Sequence, residues 1–183
     1  MLYVVGELSG VAQLDDIVYV VRRVSPIIEM YSADTLSPLG EGIHVKGMKR
    51  PSDIVACQRD RQLYVAEKDG IWRVETKDKS YIKWLTTGLA TEEFRNNTLS
   101  MTSQGLLVTS EYPPSLREYS TMNGELMCHV TLPQYVRRLY HAVQTTDDSF
   151  VICHEGTSRD MELYAVSELC RFCHTLKHCI ITS

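Results

Sequence analysis

Short apolar runs recur along this chain at a nearly constant interval, with polar, turn-forming residues between them. Four of the runs begin 45, 43 and 44 residues apart, at Val18, Leu63, Leu106 and Phe150. A second series of apolar positions gives spacings of 43, 45 and 47 residues, between Ile28, Ile71, Leu116 and Leu163. A period in the low forties that is carried by short β-rich segments is typical of propeller blades.

The second repeat shows the pattern of one blade most clearly. Pro51 and Ser52 form a turn signal, and the small and β-branched residues 53–57 that follow predict an innermost strand. Apolar residues predict two further strands at 62–67 and 71–75, joined by a hairpin at Lys68-Asp69-Gly70. Residues 81–85 alternate between apolar and polar, which predicts a fourth strand with one face in water.

The same order of signals extends to the other repeats. Strands are predicted at 10–14, 16–21, 27–31 and 43–45, then at 99–102, 106–110, 115–119 and 125–132, and finally at 141–145, 149–154 and 162–166. After residue 166 the pattern stops, and the composition shifts to cysteine and histidine. We therefore predict one all-β array with blades at about residues 8–48, 49–94, 95–136 and 137–167, followed by an atypical tail at 168–183.

Composition and charge narrow the functional classes. The formal net charge is −4, and the 19 basic and 23 acidic residues are interleaved, so the sequence has no basic footprint for a polyphosphate backbone. No apolar stretch approaches the roughly 18 residues that cross a bilayer, and the first residues do not resemble a signal peptide. Cys57, Cys128 and Cys153 fit buried free thiols. We expect a cytoplasmic protein that does not bind nucleic acid.

Three segments of the second repeat resemble the NHL-repeat and related TolB-like six-bladed propellers. They are Pro51-Ser52-Asp53-Ile54-Val55, Leu63-Tyr64-Val65-Ala66-Glu67 and Ile71-Trp72-Arg73-Val74. The resemblance implies a ring that is usually of six blades, is closed by pairing the first with the last, and offers a platform for protein or nucleic-acid partners. An acidic residue usually ends the second strand in that family. It is present here only at Glu67, because Arg22, Ser110 and His154 occupy the matching positions.

Four blades are too few to close a six-bladed ring, and open ends would expose unpaired strand edges. We therefore expect an incomplete six-bladed ring, and a chain that is part of a longer protein or a truncated product. The alternative is a closed four-bladed ring like that of hemopexin-like domains. The aromatic-rich blade motifs of that family are not evident in this sequence.

The loops that follow the second strands and precede the first strands are the candidate binding face, because loops on rigid blades vary at little cost to the core. Lys49 and Arg50 precede one first strand. The principal candidates are Arg22, Arg23, Glu67, Lys68, Asp69, Glu111, Tyr112, Arg137, Arg138, His141, His154 and Glu155. Their mixture of charged and aromatic residues suits recognition of a protein partner. The alternative is a solvated rim that carries ordinary turn charges.

Two other functions stay open as alternatives. Lactonase-like and lyase-like propellers hold a divalent metal at the mouth of the channel, and the corresponding candidates here are Asp53, Glu67, Asn96, His141 and His154. His154 beside Glu155, and Asp53 with His141, are the nearest approach to a general base and its partner. RNA binding, known for NHL propellers, is disfavoured by the net charge. We expect no catalysis and no cofactor.

The tail contains five residues of the types that bind zinc, Cys170, Cys173, His174, His178 and Cys179. Four-coordinate zinc sites usually take two ligand pairs separated by a longer loop, whereas these five fall within one short segment. We therefore do not predict a zinc site. Our interpretation is that the tail replaces the normal fourth strand of the last blade.

Overall fold

The computed structural model describes residues 6–86, 98–111, 114–145, 149–155, 161–166 and 178–180, with backbone alone for Arg137 and for 178–180. This part of the chain is all β, without a helix, and forms four antiparallel sheets of four strands each. Among these residues, nothing helical is therefore long and apolar enough to span a membrane.

Chain order and sheet order coincide in all four sheets, which confirms the prediction of four-stranded antiparallel blades. The first sheet contains β1–β4, at Leu8–Leu14, Ile17–Arg22, Ile27–Ser32 and Ile43–His44. The second contains β5–β8, at Pro51–Cys57, Gln62–Glu67, Gly70–Glu75 and Tyr81–Thr86. The third contains β9–β12, at Leu99–Met101, Gly105–Ser110, Ser115–Ser120 and Leu126–Thr131. The fourth contains β13–β16, at Arg137–Gln144, Phe150–Glu155, Met161–Val166 and His178–Ile180.

The last blade differs from the sequence interpretation at its outer edge. The pattern stops after Val166, yet β16 pairs antiparallel with β15, with Ala165 opposite Cys179. The sequence predicts no strand after residue 166, but the tail supplies a short edge strand, because backbone hydrogen bonds need no apolar pattern of side chains.

The chain divides into two compact units, which we call unit 1 (residues 1–91) and unit 2 (residues 92–183). Each unit contains two of the sheets. The predicted blade and tail boundaries stay a prediction.

In unit 1, the core lies between the facing sides of its two sheets. β1 and β2 contribute Leu14, Tyr19 and Val21, which pack in one buried cluster with Leu63 and Val65 of β6. These residues recur at every second position of their strands, as the alternation of side chains in a strand requires. The residues between them, Val20 and Tyr64, are also buried and lie on the opposite faces of their strands.

Unit 2 has its own core, built on the same plan. Leu107 and Leu116 of the third sheet pack in one buried cluster with Phe150, Ile152 and Tyr164 of the fourth. The pKa of the Tyr164 hydroxyl is raised to about 12, chiefly by burial and also by its hydrogen bond with Tyr135.

The two sheets of unit 1 are aligned at the end where β1 and β5 begin, which we call the leading end. Gly10 near the start of β1 lies against β5, so closely that a Cβ there would stand 2.8 Å from the Ile54 amide nitrogen. The opposite or trailing ends are joined by Gln58, whose Nε2 donates to the Gln13 carbonyl at 3.1 Å. The loops at each end of unit 1 are therefore held side by side.

Candidate functional site

The polar residues that end the second strands are buried or bonded rather than free on a loop. In unit 1, Arg22 donates from Nε to Glu29 Oε1 at 2.9 Å and from Nη1 to the Gly6 carbonyl at 2.9 Å. Tyr31 donates its hydroxyl to Glu29 Oε2 at 2.9 Å, and this hydrogen bond raises the pKa of Tyr31. Arg22 therefore links β2 to β3 and to the segment that precedes β1, and its guanidinium already has partners within the blade.

Glu67 occupies the matching place in the second blade. Its side chain is buried, with 3% of the residue exposed, and Oε2 accepts a hydrogen bond of 2.6 Å from Trp72 Nε1. Because the ladder pairs Glu67 with both Pro51 and Gly70, the residue still belongs to the sheet. Among the predicted site residues of this blade, the exposed ones are Lys68 and Asp69.

Unit 2 repeats this arrangement. Ser110 is the last residue of β10 and His154 the second-last of β14, and only 1% and 2% of these residues are exposed. The His154 ring nitrogen Nδ1 lies 3.0 Å from the Glu155 carbonyl oxygen. A polar residue at this point of the repeat is therefore a structural feature of all four blades, whatever its charge.

The remaining predicted residues of unit 2 are placed as follows. Glu111 is buried, and Arg138 is exposed and pairs with Glu155 through Nη1 and Oε2 at 3.1 Å. Tyr112 lies outside the described residues, and only the backbone of Arg137 is described.

His141 is exposed and meets Ser100 of the neighbouring sheet, with 3.1 Å between His141 Nε2 and Ser100 Oγ. The Ser100 hydroxyl donates its single proton to the Ala142 carbonyl, so the imidazole must be the donor to Ser100 Oγ. This pair therefore bridges β9 and β13 and does not form a nucleophile with its base.

The described residues contain no group of three His, Cys, Asp or Glu side chains that could hold a metal ion. Asp53 accepts a hydrogen bond from its neighbour Ile54 at 2.8 Å through Oδ1. Asn96 and the tail residues Cys170, Cys173 and His174 lie outside the described residues, and only the backbone is described for His178 and Cys179. The alternative of a channel-mouth metal, and the expectation that the tail holds no zinc, are not tested by these residues.

Exposed cations gather at the leading end of unit 1. We call this set the basic cluster, which consists of Arg23, Lys46, Lys49, Arg50 and Lys68. The register places them together: the ladder joins Pro51 to Glu67, so Arg50 and Lys68 are the next residues at the same end. The pair of Ile27 with His44 likewise brings the segment that follows β4 beside the loop that follows β2.

Buried anchors hold the segment that carries Lys46 and Lys49. Val45 and Met48 are buried in the core of unit 1, and the Val45 amide donates to the Pro26 carbonyl at 2.9 Å. Gly47 lies against Trp72, since a Cβ at this position would be 3.4 Å from Trp72 Cη2. Lys49 and Arg50 were predicted in this loop from the sequence, whereas Lys46 was not. The signal for Lys46 is its position between the apolar residues Val45 and Met48.

No protein-family model and no curated protein sequence matches this chain. Solved structures match it over most of its length. Hydrazine synthase from Kuenenia stuttgartiensis is 12% identical with a TM-score of 0.69, over 87% of this chain and 50% of its own. A chain of a nidogen/laminin complex is 14% identical with a TM-score of 0.66, over 94% of this chain and 65% of its own.

A third structure is the extracellular domain of a hybrid two-component system from B. thetaiotaomicron, which is 13% identical with a TM-score of 0.67 over 97% of this chain and 22% of its own. At these identities the likeness shows the fold alone. Together with the four blades it establishes the β-propeller fold class. The chain spans only half to two-thirds of the length of the first two structures.

Proposed function

We propose that the chain is a non-catalytic propeller module that presents the leading end of its blades to a protein partner. The observation that carries this proposal is the basic cluster, a set of exposed charged side chains on short loops whose backbones are fixed by buried anchors. Such preorganised loops lose little conformational freedom on binding. The nidogen/laminin structure is a protein complex by its own description, which supports a partner of the same kind.

We further propose that the four blades belong to a six-bladed ring of the NHL or TolB-like kind. Four blades that match 65% of the nidogen/laminin chain leave room there for about two more blades of this size. Electron microscopy of the protein purified from its native source would count the blades directly. Images along the ring axis should show six, and a ring of four would contradict this proposal.

The binding proposal can be tested without knowing the partner. A peptide display library would be selected against the folded chain, and the enriched peptides would be located by hydrogen exchange. We expect slower exchange in bound protein at residues 23–26, 45–50 and 68–69. Failure to enrich any peptide, or protection confined to other surfaces, would contradict the proposal.

A further inference from the structure

The cations of the basic cluster are largely unpaired. Arg23 makes one exposed ion pair, from Nη1 to Glu7 Oε2 at 3.4 Å. In the part of the chain that the structure describes, Lys46, Lys49, Arg50 and Lys68 take part in no ion pair or side-chain hydrogen bond. Surface charges of globular domains are normally interspersed by sign. Four exposed cations that share one end of unit 1 and take part in no ion pair depart from this pattern.

Most carboxylates at the same end of unit 1 already have partners within the fold. Glu29 and Glu67 are buried and bonded to Arg22 and Trp72 respectively. Asp53 bonds to the backbone amide of Ile54. Glu7 and Asp69 are the exposed carboxylates that remain among the described residues of the leading end.

Acidic residues of unit 1 lie instead at the trailing end. The turn between β1 and β2 carries Asp15 and Asp16, and later turns at this end carry Asp60 and Asp78. Two of these carboxylates already have cationic partners, because Arg61 pairs with Asp15 and Arg59 with Asp60. The trailing end therefore mixes exposed cations with carboxylates, whereas the leading end carries the five exposed cations of the basic cluster and two exposed carboxylates.

We propose that the basic cluster binds an acidic peptide segment, rich in Asp and Glu, of the protein partner. This inference rests on the proposed binding function and specifies the chemistry of its partner. Lysine ammonium groups act as point charges toward carboxylates, and Arg50 can offer its planar guanidinium to two carboxylate oxygens at once. An opposite charge at an exposed surface speeds association and selects the partner more than it tightens binding.

A peptide fits this surface better than a single-stranded nucleic acid. Sequence-tolerant binding of nucleic acid combines a basic groove with aromatic rings on which bases stack. Among the described residues, Trp72 supplies the aromatic ring beside the cluster, and it is only 8% exposed and donates its indole N–H to Glu67. Lys83 Nζ stands 5.6 Å from the centroid of this ring and occupies its face. Burial and this contact leave little of the ring open to a stacking base.

The test compares two double charge reversals that change the net charge equally. K49E/K68E alters the basic cluster at two exposed positions, and K77E/K79E alters two exposed lysines at the trailing end. Fluorescence anisotropy would measure the binding of labelled oligoglutamate, a Gly-Ser peptide of equal length and oligouridine RNA to each folded protein. Circular dichroism would confirm that both variants are folded.

We expect the wild-type chain to bind oligoglutamate but not the Gly-Ser peptide, with affinity that falls as NaCl is raised. K49E/K68E should weaken binding by about tenfold or more, and K77E/K79E by less than about twofold. Absence of oligoglutamate binding, or an equal loss in both variants, would overturn the inference. Tighter binding of RNA than of oligoglutamate would overturn it in favour of a nucleic-acid surface.

The two proposals fail in different ways. If display selects neutral peptides that protect the leading end, the binding module stands and the acidic partner is wrong. If no peptide protects the leading end, the binding proposal itself fails.

Discussion

At the scale of single residues, two buried serines of unit 2 differ in one respect that decides their contribution to stability. Ser100 donates its hydroxyl to Ala142, whereas Ser115 Oγ is the one buried side-chain polar atom without a hydrogen-bond partner among the described residues. An unpaired buried hydroxyl forfeits its interactions with water and gains none in the fold.

We therefore predict that Ser100→Ala lowers the free energy of unfolding by about 1 kcal/mol. Ser115→Ala should leave it unchanged or raise it by a few tenths of a kcal/mol, because the alanine removes a group that was never satisfied. Urea denaturation of both variants measures the difference. A loss in Ser115→Ala as large as that in Ser100→Ala would show that the Ser115 hydroxyl has a partner.

Tyr164 gives the fold a predicted dependence on alkaline pH. Its pKa of about 12 in the folded protein lies above its ordinary value of 10.0. The folded state therefore keeps this proton at pH values where the unfolded chain has lost it. The stability that results is complete below pH 10 and is lost as the pH rises from about 10 to about 12.

We predict that the wild-type chain loses on the order of 1–2 kcal/mol more stability across this interval than Tyr164→Phe does. Urea denaturation at successive pH values measures both curves. Tyr140→Phe, at an exposed position, is the control and should follow the wild-type curve. Identical losses in Tyr164→Phe and the wild type would contradict the assignment.

Residue positions near strand ends show why the candidate site was only partly predictable. Glu67 and His154 were predicted on the binding face because each follows an apolar run in the sequence. The backbones of both residues remain paired in their ladders, Glu67 with Gly70 and His154 with Glu162. Both residues therefore belong to strands rather than loops, and their side chains are buried. Glu67 is buried and the next residue, Lys68, is exposed. A hydrophobic pattern does not locate the end of a strand to within one residue.

At the scale of strands, the fold was predictable where apolar residues alternate and unpredictable where the ladder is irregular. β6 was predicted at its observed bounds, because its run of buried residues ends at Glu67, directly before the hairpin at Lys68-Asp69-Gly70. β13 begins four residues before its predicted start, because ladder irregularities near Leu139 interrupt the alternation. β16 has only three residues, too few for any period.

The hairpin between β6 and β7 depends on Gly70. Its φ is +146°, and a Cβ there would collide with the Leu85 carbonyl oxygen. Gly40 also has a positive φ, of +73°, but no atom lies within 4 Å of its Cβ position. Substitutions at these two glycines therefore distinguish the cost of backbone strain alone from the cost of strain combined with a steric clash.

We predict that Gly40→Ala costs about 1 kcal/mol through strain alone, and that Gly70→Ala costs about 2 kcal/mol or more because the β7–β8 ladder must also shift. Thermal and urea denaturation of the two variants give the comparison. Equal costs would show that the ladder yields to the added methyl group without loss.

At the scale of the whole molecule, each unit contains a buried apolar cluster of its own. Leu63 lies in the core of unit 1 and Leu116 in that of unit 2, and both are almost fully buried. Removing most of a buried leucine side chain costs roughly 2–5 kcal/mol, depending on how well its surroundings collapse. Local opening of a protein follows units that share a core.

We therefore predict that Leu63→Ala lowers hydrogen-exchange protection mainly in β1–β3 and β5–β7, and that Leu116→Ala does so mainly in β10–β14. Since one unit of RT ln 10 is about 1.4 kcal/mol, the affected amides should exchange at least about tenfold faster. Mass spectrometry of peptides from native-state exchange resolves the two sets of strands. If either substitution accelerated exchange equally in all the described strands, the chain would open as one cooperative unit, and the separate cores would not be separate units of stability.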